Sequence, residues 1–449
     1  MAEEPIHMSI VVAGDVHSGK SSLVGRLLYD MGDVDERTME QVKKEAEELG
    51  KPACAFAHIF DNTKDEQERE HTISCKLKEF YTKRYHYTVI DTPGHRDYVK
   101  NFISGASQAD TALLLCSADG SGDPRYHARL LRLFGIDQLV VCINKMDSLK
   151  PPYSEECYDR FVNNIKKMLV EEGWGRQRVE RGGIPIIPMS GLHSQNILSM
   201  SEKMPWWKGV TVTSGGGKRS TMSFQVGCLL DALDEVFCPL LRRRDDKDDS
   251  LSAPVAKVIT IIKGTECVVT THVKAGTVAI GEDVVFLPTH TASKSCTGRV
   301  QSIEMHHKDR PTAVPGDNVG ISLSGLSKAN IPRNGDVMVT KATLKCCSSL
   351  LVEVSVIQHP SKIKVGFSLE CCVSTSNLAS SCRLDEIYWK IGRSTNRQKH
   401  EHPMFVAEGD ICQLVFKLTR PFVPYEEPKT VVIFDGSVIC MIGNVQRWS

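Results

Sequence analysis

The spacing of apolar positions changes along this chain, and each change marks an element. "HMSIVVAG" is a β-branched run ending at Gly14, which predicts a strand, and "KSSLVGRLLYDMG" then puts Leu23, Leu27 and Met31 on one helical face. Later apolar runs lead into "VIDTPGHRD", "LVVCINKMD" and "IIPMSGL", so each of these segments also sits at the end of a predicted strand. Strands and helices in this order predict an α/β domain over residues 1–240. "LRRRDDKDDSLSAP", Leu241 to Pro254, is charge-dense with few apolar anchors and reads as a linker at 241–253. Beyond it, "AKVITIIKGTECVVTTHVKAG" and "TGRVQSIEMHH" are β-branched runs broken by glycine, and "SSLLVEVSVIQH" alternates Leu350, Val352, Val354 and Val356 on one face. Short antiparallel strands follow from that pattern, divided near Thr340 to Cys347 into segments 254–343 and 344–449.

The loop between the first strand and helix, "GDVHSGKSS", fits G-x-x-x-x-G-K-S. Gly14 and Gly19 let the backbone of Asp15, Val16, His17, Ser18 and Ser22 wrap phosphates with N–H groups inward, Lys20 reaches the β and γ phosphates, and the Ser21 hydroxyl suits magnesium. Asp91 of "DTPG" is placed to hold that ion through water, while the Gly94 N–H meets a γ phosphate. Asn144, Lys145 and Asp147 form N-K-x-D after a buried strand; a carboxylate there accepts from both the amino and ring N–H groups of guanine, a donor pair adenine lacks. Ser190, Gly191 and Leu192 fit a loop whose N–H groups face the guanine oxygen. GTP and GDP are therefore the expected ligands.

Composition fits a large multidomain protein: 449 residues, 55 basic against 55 acidic side chains and 41% hydrophobic. No apolar run approaches the roughly 20 residues of a membrane span, and "MAEEPIHMS" lacks a secretory layout, so a cytoplasmic location with no membrane partner is expected. The 16 cysteines include no C-x-x-C pair and are expected as reduced, mostly buried thiols.

With these motifs in place the chain resembles the translational GTPases, and among them elongation factor one-alpha of eukaryotes and archaea, relatives of elongation factor Tu. "YDMGDVDERTMEQVKKEAEELGK", "PGHRDYVKNFISGASQAD", "NKMDSLKPPYS", "KMPWWKG", "IEMHH" and "VPGDNVG" carry the resemblance. It implies an α/β P-loop GTPase domain followed by two antiparallel β-barrel domains, and a magnesium-dependent hydrolysis of GTP stimulated by the ribosome. It also implies aminoacyl-tRNA as cargo for the ribosomal A site and a guanine nucleotide exchange factor as partner. By matching position, Thr72 of "EREHTI" becomes the switch threonine that closes on magnesium and the γ phosphate, and His95 the residue that orients the attacking water, with Lys20 stabilising charge. The histidines of "IEMHH" are expected as an exposed strand end rather than metal ligands.

Several positions depart from the family pattern. Asp15 and His17 exchange the usual His and Asp, and Glu70-His71 stands where Gly-Ile precedes the threonine; that isoleucine pairs with the residue at Val16 as an apolar gate for the catalytic histidine. "DGSGDPRYHARLL" replaces a Gln-Thr-Arg-Glu-His segment, and "IFDGSVICMIG" replaces an Arg-rich one. Two other readings stay open on these grounds: a GTP-binding switch without charged tRNA, and a release or ribosome-rescue GTPase.

Overall fold

The computed structural model describes residues 5–48, 50–59, 72, 75–214, 222–239, 250–260, 267–291, 293–326, 330–340, 346–373, 379–424 and 429–449. The Glu70-His71 departure and most of the 241–253 segment lie outside them. The chain forms two compact units, 1–240 and 241–449.

In the first unit six strands form one sheet: β1 (Ile6–Gly14), β2 (Lys76–Tyr81), β3 (Tyr85–Asp91), β4 (Thr111–Ser117), β5 (Gln138–Asn144) and β6 (Ile186–Pro188), in the order β2-β3-β1-β4-β5-β6. β2 runs antiparallel to β3 and the other pairings are parallel. From Met8 to Gly14 every residue of β1 is buried, the mark of a strand covered on both faces. Parallel pairing brings the carboxyl ends of β1, β3, β4, β5 and β6 to one edge, where an open α/β sheet binds ligands. Helix α1 (Lys20–Asp30) buries Leu23, Val24, Leu27 and Leu28, while Met31, expected on the same face, caps its end half-buried. Further along lie α2 (Glu36–Glu48), α3 (Ala55–His58), α4 (Val99–Ala106), α5 (Arg125–Leu133) and α6 (Glu155–Glu171).

The second unit holds two closed barrels. In the first, strands follow the order Asp283–Leu287, Val337–Val339, Ala253–Thr260, Cys267–His272, Asn318–Ser324 and Thr297–Met305, which pairs back to Asp283–Leu287. In the second the order is Ser368–Val373, Thr430–Asp435, Val438–Trp448, Cys347–Val356, Ile411–Phe422 and Ser380–Ile391, closing on Ser368–Val373. Closure removes the unpaired edges that short strands would otherwise present. Leu350, Val352, Val354 and Val356 all enter the second core, while Glu353 and Ser355 between them face outward. The barrel begins earlier than the linker reading allows: Ser252 bridges Ala275 and Ala253 pairs with Met338. Arg420 of the second barrel reaches Asp336 of the first at 2.6 Å, beside a small apolar cluster of Leu287, Val337, Val339 and Val423.

His306 and His307 form the two-residue turn of a hairpin, with φ of 49° and 61°. Positive φ at both positions is what a tight hairpin of native twist requires. None of the 16 cysteines forms a disulfide, and eleven of them are buried. Among the described residues no helix is long and apolar enough to cross a membrane.

Candidate nucleotide site

At the carboxyl edge of the sheet, the loops after β1, β3, β5 and β6 surround a cavity of about 350 Å³. Val16, His17, Gly19, Lys20, Ser21, Ser22, Thr72, Gly94, His95, Asn144, Lys145, Asp147 and Leu192 line it, together with Ala53, Cys54, Ala57 and His58. Residues separated by up to 176 positions in the chain, from Val16 to Leu192, thus meet around one cavity. Gly14, Asp15, Ser18, Asp91, Ser190 and Gly191 are not among the lining residues.

The phosphate loop wraps because its glycines allow it. Gly19 has φ 89°, and a Cβ there would strike the Asn144 amide; Gly14 has φ 148°, and a Cβ there would meet the Leu115 carbonyl oxygen at 2.5 Å. Lys20 donates to the Asp15 carbonyl at 2.8 Å, which holds the ammonium across the loop's mouth. Gly94 packs against the loop so closely that a Cβ would lie 2.8 Å from the Gly14 oxygen. Only backbone N–H and Cα fit between, and this brings the third-strand motif to the phosphate side.

Ser21 Oγ donates to Asp91 Oδ2 at 2.6 Å and lies 3.1 Å from Thr72 Oγ1. Two hydroxyls and a buried carboxylate so close together form an all-oxygen donor set, which fits magnesium. His95, 40% exposed at its side chain, accepts the Asp97 N–H through Nδ1 at 3.2 Å and opens the short turn after "DTPG".

On the base side the geometry refines the sequence reading. Asn144 acts as a stitch within the protein: its amide donates to Ser18 O at 3.0 Å and accepts the Gly191 N–H at 2.9 Å. Ser190 N–H donates to Gln195 O at 3.2 Å. Of the N–H groups expected to face the guanine oxygen, those of Ser190 and Gly191 are therefore engaged internally, and Leu192 is the member of that loop that lines the cavity. Lys145, in a left-handed conformation at φ 62°, is held by Asp119 at 3.3 Å. Burial alone would raise the Asp119 carboxyl, but hydrogen bonds from Ser121 and Ser117 and the charge of Lys145 outweigh it and hold the group well below its ordinary range. Asp119 was not among the sequence candidates; its signal was the "DG" turn past the fourth strand. Arg26 was missed as well. It pairs with Asp30 at 2.8 Å, donates to Leu192 O at 3.4 Å and lies 4.8 Å from the Phe56 ring, joining the base loop to α3.

Asp15 and His17 part company. His17, at φ 60°, joins the cavity lining, whereas Asp15 turns to the opposite side of the loop and lines a second cavity of about 220 Å³ with Ser18 and Met168.

Comparison with known proteins agrees with this geometry. Residues 5–239 match the model of the elongation factor Tu GTP binding domain, and residues 267–339 that of elongation factor Tu domain 2. Elongation factor 1-alpha of Methanosarcina barkeri is 38% identical over 428 residues, covering 94% of this chain and 92% of the relative. That of Ignicoccus hospitalis is 37% identical over 430 residues, with 94% and 90% covered. In fold, the GTP-bound GTPase-like domain of S. cerevisiae Ski7 superposes with a TM-score of 0.72 at 14% identity, covering 98% of this chain and 97% of that one. Elongation factor SelB from Methanococcus maripaludis gives 0.64 at 16% identity, covering 99% and 80%. A cavity built from phosphate-loop, magnesium and guanine motifs, in a chain this similar along its length, makes the protein a GTPase and a divergent member of the elongation factor 1-alpha family of translational GTPases.

Proposed function

We propose that the protein carries aminoacyl-tRNA in its GTP form and delivers it to the ribosomal A site, with hydrolysis of GTP ending each delivery. The observation that carries this reading is identity extending over 94% of the chain, barrels included, to proteins called elongation factor 1-alpha. The ribosome as stimulator of hydrolysis, a guanine nucleotide exchange factor for GDP release and a cytoplasmic setting belong to the same reading.

In the mechanism, Asp147 selects guanine, with Lys145 and Leu192 on either side of the base. N–H groups of the 14–22 loop and the Lys20 ammonium bind the phosphates, and Gly94 N–H reads the γ phosphate. Ser21, Thr72 and Asp91 would hold magnesium, which when bound neutralises charge on the β and γ phosphates. His95 orients water for in-line attack, and Val16 shields it on the loop side. Charge stabilisation and positioning supply most of the rate in phosphoryl transfer, so none of these groups needs covalent chemistry.

The test is whether the GTP-loaded protein slows spontaneous hydrolysis of the ester in aminoacyl-tRNA while the GDP-loaded protein does not. Equal ester half-lives in the two states, with nucleotide retention confirmed on the same samples, would overturn the delivery reading.

A further inference from the structure

Two of the departures from the family pattern, Asp15 in the phosphate loop and the "DGSGDPRYH" turn after β4, touch one another although 108 residues separate their contact atoms. Asp15 Oδ2 accepts the Asp123 N–H at 2.5 Å and Oδ1 accepts the Val16 N–H at 2.7 Å. Bonds of backbone N–H groups to a carboxylate are short and strong. The main-chain oxygen of the same residue receives both Lys20 Nζ at 2.8 Å and Ser18 N at 3.2 Å. One residue thus ties the loop's backbone to a neighbouring turn with its side chain and holds the phosphate-binding lysine with its carbonyl.

The turn is shaped to receive it. Gly122 has φ 82°, and a Cβ there would lie 2.7 Å from Asp15 Cβ and 3.0 Å from Oδ2, so the approach depends on glycine. The turn is itself braced: Asp119 accepts from Ser117 Oγ at 2.8 Å and Ser121 N at 2.7 Å, and pairs with Lys145 on the base side of the nucleotide cavity. A continuous run of contacts therefore leads from Lys145 through Asp119 and the 119–123 turn to Asp15 and Lys20.

We infer that Asp15 is a positioning residue, a latch that holds the phosphate loop against the 119–123 turn and prolongs the residence of guanine nucleotide. The inference rests on the GTPase reading of the cavity. A loop already held in its binding conformation loses little freedom when it closes on phosphate, and such preorganisation appears mainly in the dissociation rate.

The experiment is a chase of fluorescent N-methylanthraniloyl-GDP from the full-length protein by excess GDP at fixed magnesium, with association rates measured alongside. Asp15→Ala is expected to release nucleotide about tenfold faster, with the association rate changed much less. Gly122→Ala, which displaces the latch from the other side, is expected to act similarly. The double variant should release little faster than either single one, because both break the same contact. Should Asp15→Ala fail to fold, Gly122→Ala decides alone. Release within twofold of the parent in the folded variants, or single effects that multiply in the double variant, overturns the latch. A parent protein that retains no guanine nucleotide overturns the GTPase reading and the latch together, so the two failures are distinguishable.

Discussion

In the proposed mechanism Asp147 reads the base with two carboxylate oxygens, and a choice made that way is reversible by chemistry. Hydrogen bonds to a charged group contribute ~1.5–3 kcal/mol each, so losing two of them is a loss of at least about a hundredfold in affinity. Asp147→Asn is expected to cost that much for GTP while improving binding of xanthosine triphosphate, whose carbonyl replaces the guanine amino group. Competition of the two nucleotides against a labelled one checks this, and an unchanged preference for GTP would refute the assignment. At this scale the sequence was informative about position: its motifs and their order bring Lys20, Ser21 and Asp147 to one cavity, with Asp91 bonded to Ser21. It was silent where a residue acts through a distant partner. Nothing in "GDVHSGKSS" shows that Asp15 turns away from the nucleotide cavity to meet Asp123, because that depends on a turn more than a hundred positions later. Asn144 likewise belongs to a base-recognition motif, yet its amide is spent joining two loops.

Helix α1 touches α3 at a point with no room for a side chain. A Cβ on Gly25 would lie 2.9 Å from the Phe56 carbonyl carbon and nearer still to its oxygen, and backbone cannot rotate aside as a side chain does. Gly25→Ala should therefore destabilise the first unit by about 1–3 kcal/mol despite the better helix propensity of alanine; denaturant unfolding checks this, and a midpoint at or above the parent's would contradict it. Helix α5 carries a different kind of constraint. His127 is buried with Nδ1 unpartnered among the described residues and packs edge-on against Phe102. Burial, with the positive charge of Lys20 added and Asp15 opposing, pushes its pKa down to about 3. A group depressed in the folded state contributes stability that is present above its unfolded pKa, near 6.5, and lost as pH falls toward 3. His127→Leu is expected to flatten the acid limb of the stability curve between those values. Parallel acid limbs for the two proteins would show that His127 does not set that slope. The strands of both units were readable because buried faces impose a period of two or a continuous apolar run. The barrel's first residues were not, because Ser252 and Ala253 follow a charged stretch and are ordered by partners at Ala275 and Met338. The His306-His307 turn hid for a related reason: positive φ is a property of the hairpin, and histidine is not its usual marker.

Over the whole molecule, the second unit depends on a contact that neither barrel makes alone. Asp336 is fully buried at its side chain, while Arg420 opposite is 41% exposed. Burial raises the Asp336 carboxyl, and hydrogen bonds from Thr289 and the Arg333 backbone, with the charge of Arg420, only partly offset it. A raised folded-state pKa gives stability that is fully present below the unfolded value, near 3.8, and lost as pH rises through the folded one. Removing the guanidinium raises it further, so Arg420→Ala should cost about 2 kcal/mol near neutrality and less in acid. Urea unfolding at pH 5 and pH 8 tests the sign, and a penalty that shrinks at pH 8 would be the wrong one. The interior thiols have a consequence of another kind. Cys238 and Cys346 are exposed, while Cys142 in the sheet, Cys296 in one barrel and Cys372 and Cys412 in the other are enclosed and held protonated by burial. An alkylating reagent meets neither access nor thiolate at those four until their surroundings open. The chain thus carries an opening clock in each of its three cores, and the order in which mass spectrometry finds those cysteines labelled would rank the cores by how often they breathe.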